Sequence, residues 1–279
     1  MLMKRNLDYF GNISLHTAQP ANGSPAFTLT ELLVVVATVA LLAAVFLPAL
    51  AAGDRADRTA CLNNLRQIGI VMAVYAGDHQ DYVFPCRTQS GGQSVPIGMN
   101  PSPALTAIGL DTNNLVTNTS SIWTCPNRPG LPAFDSGNNY YVIGYMYFGG
   151  VTRWFPQGTP YGPAWSPVKC STSKPWWCLA ADCNIQVSGV WGSTTGTSPN
   201  VPAAYQNIPP HPQVNARTPA GGNEVFADGS AQWIYYGKMW YLTTWSTLSA
   251  RDCFWYQDPQ DFSTQLRYQL PSLSAIHYP

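Results

Sequence analysis

The side chains of this chain that could carry chemistry are mainly its seven cysteines and four histidines. Seven and four residues separate Cys170, Cys178 and Cys183, and no Cys-x-x-Cys pair occurs. Zinc sites usually contain more closely spaced ligand pairs, so this spacing argues against zinc. Seven cysteines are instead typical of an oxidising compartment, where thiols form disulfides. Because the count is odd, at least one cysteine has no partner within the chain.

The disulfide connectivity stays open at the sequence level, because spacing alone does not determine it. Each disulfide would stabilise the fold by roughly 2–4 kcal/mol by restricting the unfolded chain. The pairings that would tie loops to the helix described below are Cys178 with Cys183 or Cys170, and Cys125 with Cys61 or Cys86.

The histidines show no pattern typical of an active site. The sequence contains no HExxH, GxSxG, Walker A or GxGxxG motif. We therefore predict that the protein is not an enzyme. The histidines are His16, His79, His211 and His277.

Four residues supply oxygen donors of the kind that calcium prefers: Asp182, Asn184, Asn223 and Asp228. Asn and Asp also favour turns, and Asp-Gly is a turn sequence in its own right. We expect no cofactor. Calcium bound by these four side chains is the alternative that the sequence leaves open.

The element that must position the rest of the chain is an apolar run near the N-terminus. From Leu32 to Ala52 there are 21 residues without a charge. A helix needs roughly 20 apolar residues to cross a bilayer, so the run predicts a membrane segment over residues 27–52. A secretory signal peptide cleaved near Ala51 is the rival interpretation, although its apolar region would be unusually long.

The start of this run resembles the N-terminal signature of type IV pilins and type II secretion pseudopilins. The matching residues are Phe27, Glu31 as the fifth residue counted from Phe27, and Pro48 as the twenty-second. The resemblance implies that a prepilin peptidase removes residues 1–26 by cutting between Ala26 and Phe27, and methylates Phe27. The sequence departs from the family at Ala26, where glycine is usual.

The resemblance also implies a role for Glu31 in assembly. In pilin-like proteins this carboxylate is thought to meet the N-terminal ammonium of the neighbouring subunit and so to set the register of a filament. A carboxylate within an apolar membrane segment is costly, which favours such a function. The alternative is that Glu31 only interacts favourably with the helix dipole.

Residues 53–80 predict an amphipathic continuation of the helix. Cys61, Leu65, Ile68 and Met72 recur at spacings of three and four, which places them on one face. A glycine stop signal at Gly77 predicts the end of the helix.

Three further segments resemble a pilin-like group found in planctomycetes and verrucomicrobia. The first is a CLNNLRQIG run, the second contains Cys125 before a proline, and the third has the form H…N…F…DG. In the third, 16 residues separate the histidine from the aspartate, where the group commonly has nine. His211 therefore matches the motif of the group less well than the other residues of this segment do. The motif residues are Cys61, Asn63, Asn64, Leu65, Cys125, His211, Asn223, Phe226, Asp228 and Gly229.

Residues 81–279 predict a β-rich domain with long loops. We expect strands at residues 121–126, 140–148 and 174–182. Residues 223–227 and 230–236 flank Asp228-Gly229, which predicts a hairpin with a type I′ turn. The expected fold class is α+β. The resemblance implies a pilin-like form, in which the C-terminal half of a long hydrophobic helix packs on an antiparallel sheet.

The resemblance implies a structural subunit whose partners are the prepilin peptidase, other pilin or pseudopilin subunits and the inner membrane. Lys4 and Arg5 before the apolar run predict a cytoplasmic N-terminus and a periplasmic domain, extracellular after assembly. The formal net charge is zero, so we expect no nucleic-acid partner.

A membrane-anchored or secreted binding module, with carbohydrate as a candidate ligand, is the alternative function. The chain has ten tryptophans, and flat aromatic surfaces can stack on sugars. Core packing is the default role of such residues. The candidates for exposed positions are Trp154, Trp165 and Trp191, which lie in Gly- and Pro-rich surroundings.

Overall fold

The computed structural model describes residues 28–89, 91–113, 121–156, 163–192, 200–214, 216–246 and 250–278, without the side chains of 45–53 and 246. The predicted cleavage site at Ala26 and Phe27, and the side chain of Pro48, lie outside the described residues. The chain divides into two compact units, residues 1–50 and 51–279.

Helix α1 spans Leu29–Asp78. Its start is a capping box: the backbone N–H of Thr28 donates to Glu31 Oε2 (2.8 Å), and the N–H of Glu31 donates to Thr28 Oγ1 (3.2 Å). These two bonds satisfy backbone donors that a helix N-terminus otherwise leaves unpaired. In the first unit the described side chains of α1 are exposed all round, from Leu29 through Leu42 and beyond.

Over the described residues, the structure contains no helix with both the length and the apolar character needed to cross a membrane.

In the second unit, α1 buries the face that its periodicity predicts. Cys61, Leu65, Ile68 and Met72 are all 0–1% exposed. The helix ends at Asp78, as the glycine stop signal at Gly77 indicates. A Cβ atom added at Gly69 would lie 3.0 Å from Val225 Cγ2, so α1 approaches that strand residue closely.

The strands of the second unit are short and pair in antiparallel fashion. In chain order they are β1 (Arg87–Thr88), β2 (Ser94–Val95), β3 (Gly98–Met99), β4 (Ala133–Asp135), β5 (Tyr140–Val142), β6 (Met146–Tyr147), β7 (Cys178–Ala181), β8 (Ile185–Val187), β9 (Gly221–Phe226), β10 (Ala231–Tyr235), β11 (Trp240–Ser246) and β12 (Ala250–Trp255). A second helix, α2, spans Thr264–Leu273. Single 3₁₀ turns occur at Pro103–Ile108, Pro202–Tyr205, Tyr236–Lys238, Pro259–Asp261 and Ala275–His277.

The strands form four small sheets rather than one large one. The sheet orders are β10-β9-β7-β6, β11-β12-β8, β3-β5-β4 and β1-β2. The sheets share one aromatic core. Mixed helix and antiparallel sheet confirm the α+β class.

The predicted hairpin is present, but its turn differs from the prediction. Strands β9 and β10 pair with Val225 opposite Ala231. A type I′ turn needs positive φ at both central residues, whereas only Gly229 has it (φ +81°). Asp228 Oδ1 instead accepts the N–H of Ser230 (2.8 Å), an Asx-type turn that leaves Asp228 in an ordinary conformation.

Two of the predicted strands are wrong as drawn. Residues 121–126 form turns, in which Trp123 Nε1 donates to the carbonyl of Ile108 (2.8 Å). The predicted strand over 140–148 is divided into β5 and β6, which belong to different sheets. The break lies at Gly144, where an added Cβ would be 2.6 Å from the carbonyl oxygen of Trp123. The backbone of Trp123 lies so close to Gly144 that any larger side chain at position 144 would collide with it.

The three tryptophans predicted to be exposed are buried, which is a correction. Trp154, Trp165 and Trp191 are 0%, 7% and 3% exposed. Trp154 and Trp165 contact Phe262 from the C-terminal region, where the sequence shows no readable motif. That region supplies the missing cover as β11, β12 and α2. A local Gly- and Pro-rich context therefore did not indicate exposure.

Candidate functional site

Five side chains from five separate segments meet beneath α1 and form what we call the buried polar cluster: Cys61, Cys125, Asp182, His211 and Asn223. All are 0–1% exposed. Cys61 lies on the buried face of α1, Asp182 directly follows β7, and Asn223 lies in β9. Cys125 follows the turns around Trp123, and His211 precedes β9. The cluster thus lies where the four-stranded sheet meets the helix.

Asn223 and Asp182 form the framework of the cluster. Asp182 Oδ2 accepts the backbone N–H of Asn223 (2.7 Å) and its side-chain Nδ2 (2.9 Å). The same Nδ2 also donates to the carbonyl of Arg58 (3.0 Å). Asn223 therefore fixes the carboxylate and connects β9 to a backbone group of α1.

His211 lies against this carboxylate. Its Nε2 is 3.4 Å from Asp182 Oδ2. Its Nδ1 is 3.2 Å from Asn127 Nδ2 and 3.7 Å from Asp54 Oδ1. The ring contacts Trp233 edge-on at 5.6 Å between centroids. Each ring nitrogen therefore faces a polar group, and the ring itself is held by an aromatic contact.

The outer side of the cluster is covered by charged and aromatic groups. The guanidinium of Arg58 lies 4.3 Å from the ring centroid of Trp233. Arg58 also pairs with Asp54 (2.8 Å). Arg58 and Trp233 help to separate the cluster from solvent, while the partly exposed Asp54 forms its link to the surface.

The two cysteines of the cluster are in contact. Cys61 Sγ and Cys125 Sγ are 3.1 Å apart, although 64 positions separate the residues. Asn64, one turn along α1, holds the Cys125 segment by donating to the carbonyl of Thr124 (2.9 Å) and to Tyr145 Oη (3.2 Å). The contact with Cys125, followed by burial and the nearby charge of Asp182, raises the pKa of the Cys61 thiol.

Two atoms of the cluster have no hydrogen-bond partner: His211 Nε2 and Asp182 Oδ1. Buried polar atoms in folded proteins are nearly always satisfied, so each of these requires an explanation. Histidine and aspartate are both residue types that commonly bind metal ions in proteins.

The described chain therefore brings together half of the motif residues predicted from sequence. Cys61, Cys125, His211 and Asn223 belong to the cluster, and Asn64 supports it. His211, which the altered spacing made the weakest match, lies at its centre. The other members lie elsewhere: Asn63 is exposed, Leu65 and Phe226 are core residues, and Asp228 and Gly229 form the hairpin turn.

The set of calcium donors predicted from sequence is not assembled as one site. Asp182, Asn184 and Asn223 are buried, whereas Asp228 lies in the exposed turn. Four residues lie between Asn223 and Asp228, which places the two about 15 Å apart along the hairpin. The importance of Asp182 for His211 and Cys61 was not foreseen, and neither were the contacts of Asp54 and Asn127. Only the tertiary fold brings these residues together.

All seven cysteines are present as thiols. Cys61 and Cys125 are the pair whose sulfur atoms are in contact. The disulfides predicted from the cysteine count stay predictions, and Cys170 is the exposed member of the set.

A cleft of about 760 Å³ opens beside the cluster. Five of its thirteen lining residues are prolines, and its polar members are Asn127, Tyr205, Gln206, Asn207 and Arg217. Among the described lining residues there is no pairing of nucleophile and base.

In comparisons with known proteins, no family model, curated protein or solved structure matches the chain.

Proposed function

We propose that the protein is a prepilin-like structural subunit. It is cut before Phe27 by a prepilin peptidase, held in the inner membrane by residues 27–52, and assembled through its N-terminal helix into a pilus or pseudopilus. Its domain is periplasmic, and extracellular after assembly. The proposal rests on the resemblance of the N-terminal signature and on the observations below.

The observation that carries the proposal is the exposed apolar surface of the first unit. Large apolar side chains of α1 are 50–79% exposed on every face of the helix: Leu29, Leu32, Leu33, Val34, Val35, Val36, Val39, Leu41 and Leu42. Contiguous apolar surface of this kind marks a site of membrane or protein contact. A membrane before assembly, and neighbouring helices after it, would provide that cover.

The second unit supports the same function. It packs the buried face of α1 against an antiparallel sheet, with Gly69 close to Val225 and Asn223 bonded to the carbonyl of Arg58.

Glu31 offers a test that separates its two possible roles. In the structure it completes the capping box with Thr28. Glutamine can also complete such a box, whereas alanine cannot. Glu31→Gln therefore removes the charge and keeps the cap, while Glu31→Ala removes both.

The experiment measures filament incorporation and the mature N-terminus in the native host. We expect mass spectrometry to find N-methylated Phe27. We expect both Glu31 variants to remain in the membrane fraction and to enter filaments at least about tenfold less than the wild type. Each leaves the N-terminal ammonium of the neighbouring subunit unpaired, and about 1.4 kcal/mol of lost pairing already corresponds to tenfold. Normal assembly of Glu31→Gln with failure of Glu31→Ala would assign Glu31 to capping alone. A mature N-terminus near Ala52 would overturn the proposed function.

A further inference from the structure

The buried polar cluster contains the donor types that zinc prefers. Single donor atoms of Cys61, Asp182 and His211 all lie within 4.8 Å of one another. Cys125 Sγ is 3.1 Å from Cys61 Sγ. Zinc in proteins is bound by thiolate, imidazole and carboxylate groups, most often four in a tetrahedron. Three such groups lie within 4.8 Å of one another, and Cys125, which contacts Cys61, is the candidate for the fourth; all four residues are completely buried.

The unsatisfied atoms of the cluster point to a ligand. Asp182 uses Oδ2 for both bonds from Asn223 and leaves Oδ1 unpartnered, and His211 Nε2 is also unpartnered. Leaving a buried donor or acceptor unpaired costs about 1–3 kcal/mol each. A cation between the two side chains would satisfy both atoms. Buried carboxylates are normally paired or coordinate a metal, and the nearby Arg58 is engaged with Asp54 and Trp233.

We propose that Cys61, Cys125, Asp182 and His211 bind one zinc ion. With zinc–ligand bonds of about 2.0–2.3 Å, tetrahedral geometry places a nitrogen and an oxygen ligand about 3.3 Å apart and two sulfurs about 3.8 Å apart. His211 Nε2 lies 3.4 Å from Asp182 Oδ2, so the histidine already faces the carboxyl group whose unpartnered Oδ1 would bind the ion. The two sulfurs, at 3.1 Å, have to separate by a fraction of an ångström.

The surrounding groups fit the support that metal ligands require. Ligating histidines usually donate their second N–H to a carboxylate or carbonyl, and ligating carboxylates are themselves hydrogen-bonded. His211 Nδ1 lies 3.2 Å from Asn127 Nδ2 and 3.7 Å from Asp54 Oδ1, which is beyond hydrogen-bond distance, so a small movement would be needed for the N–H to donate to Asp54. Asn223 holds Asp182 through two bonds. When zinc binds, the two thiols lose their protons to solvent and become thiolates. The ligands come from four separate segments, so the ion would link Cys61 in α1 to the segments that contain Cys125, Asp182 and His211.

The proposed site also explains why spacing in the sequence gave no zinc motif. The ligands are brought together only by the tertiary fold, unlike the paired ligands of local zinc motifs. The proposal replaces a disulfide between Cys61 and Cys125, because two sulfurs that coordinate zinc as thiolates are not at the same time joined in a disulfide. It does not depend on filament assembly.

The test uses the full chain, purified in mild detergent without chelators, and elemental analysis of bound zinc. We expect about one zinc ion per chain in the wild type. His211→Ala and Cys61→Ser should lose most of it. Matched controls are His79→Ala and Cys170→Ser, which change exposed residues outside the cluster and should retain the ion.

A second measurement guards against variants that fail to fold. Cobalt replaces zinc in the wild-type chain, and thiolate ligation gives a sulfur-to-cobalt charge-transfer band together with the strong visible bands of tetrahedral cobalt. Absence of these bands, with no zinc retained after loading, would overturn the proposal. So would a natively isolated protein that is two hydrogens lighter and yields a peptide crosslinked through Cys61 and Cys125.

Discussion

Asp182 and Asn223 are joined by two hydrogen bonds to one oxygen: Asp182 Oδ2 accepts both the backbone N–H and the side-chain amide of Asn223, at 2.7 and 2.9 Å. The amide also donates to the carbonyl of Arg58 in α1. Asn223→Ala removes both side-chain bonds and leaves the backbone N–H of residue 223 as the remaining donor of this pair to the buried Asp182 Oδ2. We expect the free energy of unfolding to fall by about 2–3 kcal/mol, measured by urea denaturation and tryptophan fluorescence.

A matched control lies in the same hairpin. Gln232 is exposed in β10, and Gln232→Ala should change the free energy of unfolding by less than about 0.5 kcal/mol. Asn223→Asp keeps the size of the side chain but places a second carboxylate against Asp182, so it should destabilise the fold further. Equal stability of Asn223→Ala and Gln232→Ala would contradict the framework role of Asn223.

Asn63 and Asn64 offer a second comparison, because they are identical in type and adjacent in sequence. Asn64 donates to the carbonyl of Thr124 and to Tyr145 Oη, whereas Asn63 is exposed. We expect Asn64→Ala to lower the free energy of unfolding by about 1–2 kcal/mol, since it removes two side-chain hydrogen bonds while Tyr145 Oη still donates to the carbonyl of Thr124 (3.2 Å). Asn63→Ala should be neutral or slightly stabilising, because alanine is the better helix former.

The same urea denaturation of the full chain measures both asparagine variants. If Asn63→Ala proved the more damaging of the two, the side chain of Asn63 would have to contact something other than the described domain. A neighbouring subunit would then be the first candidate. Equal effects would mean that the bonds of Asn64 contribute little.

Local patterns in the sequence predicted the parts of the fold that depend on local physics. The three- and four-residue spacing from Cys61 to Met72 identified the buried face of α1, because burial of a helix follows its periodicity. The Asp-Gly pair identified the β9–β10 hairpin. The turn type was wrong because a side-chain bond from Asp228 to Ser230 determined the local conformation.

The rest depends on contacts between distant residues, which no local pattern contains. Gly144 interrupts a strand-like sequence because the backbone of Trp123 lies against it. Asp182 and His211 meet only after β7 and the segment before β9 have packed. The motif pointed to Cys61, Cys125, His211 and Asn223 without showing that they share one site. Asp54 and Asn127 stood outside every motif, so the sequence carried no signal for them.

Glu224 predicts a specific pH dependence of stability. It is completely buried, and burial raises its pKa well above the ordinary value, opposed by the N–H of Tyr256, which donates to Oε1 (2.7 Å). The folded protein thus keeps a proton that the unfolded chain loses above its ordinary pKa of about 4.3, and stability falls as pH rises, by up to about 1.4 kcal/mol per unit. Glu224→Gln should remove this loss, so that its stability relative to wild type increases from pH 5 to 8. Parallel curves of unfolding free energy against pH would show that Glu224 ionises normally.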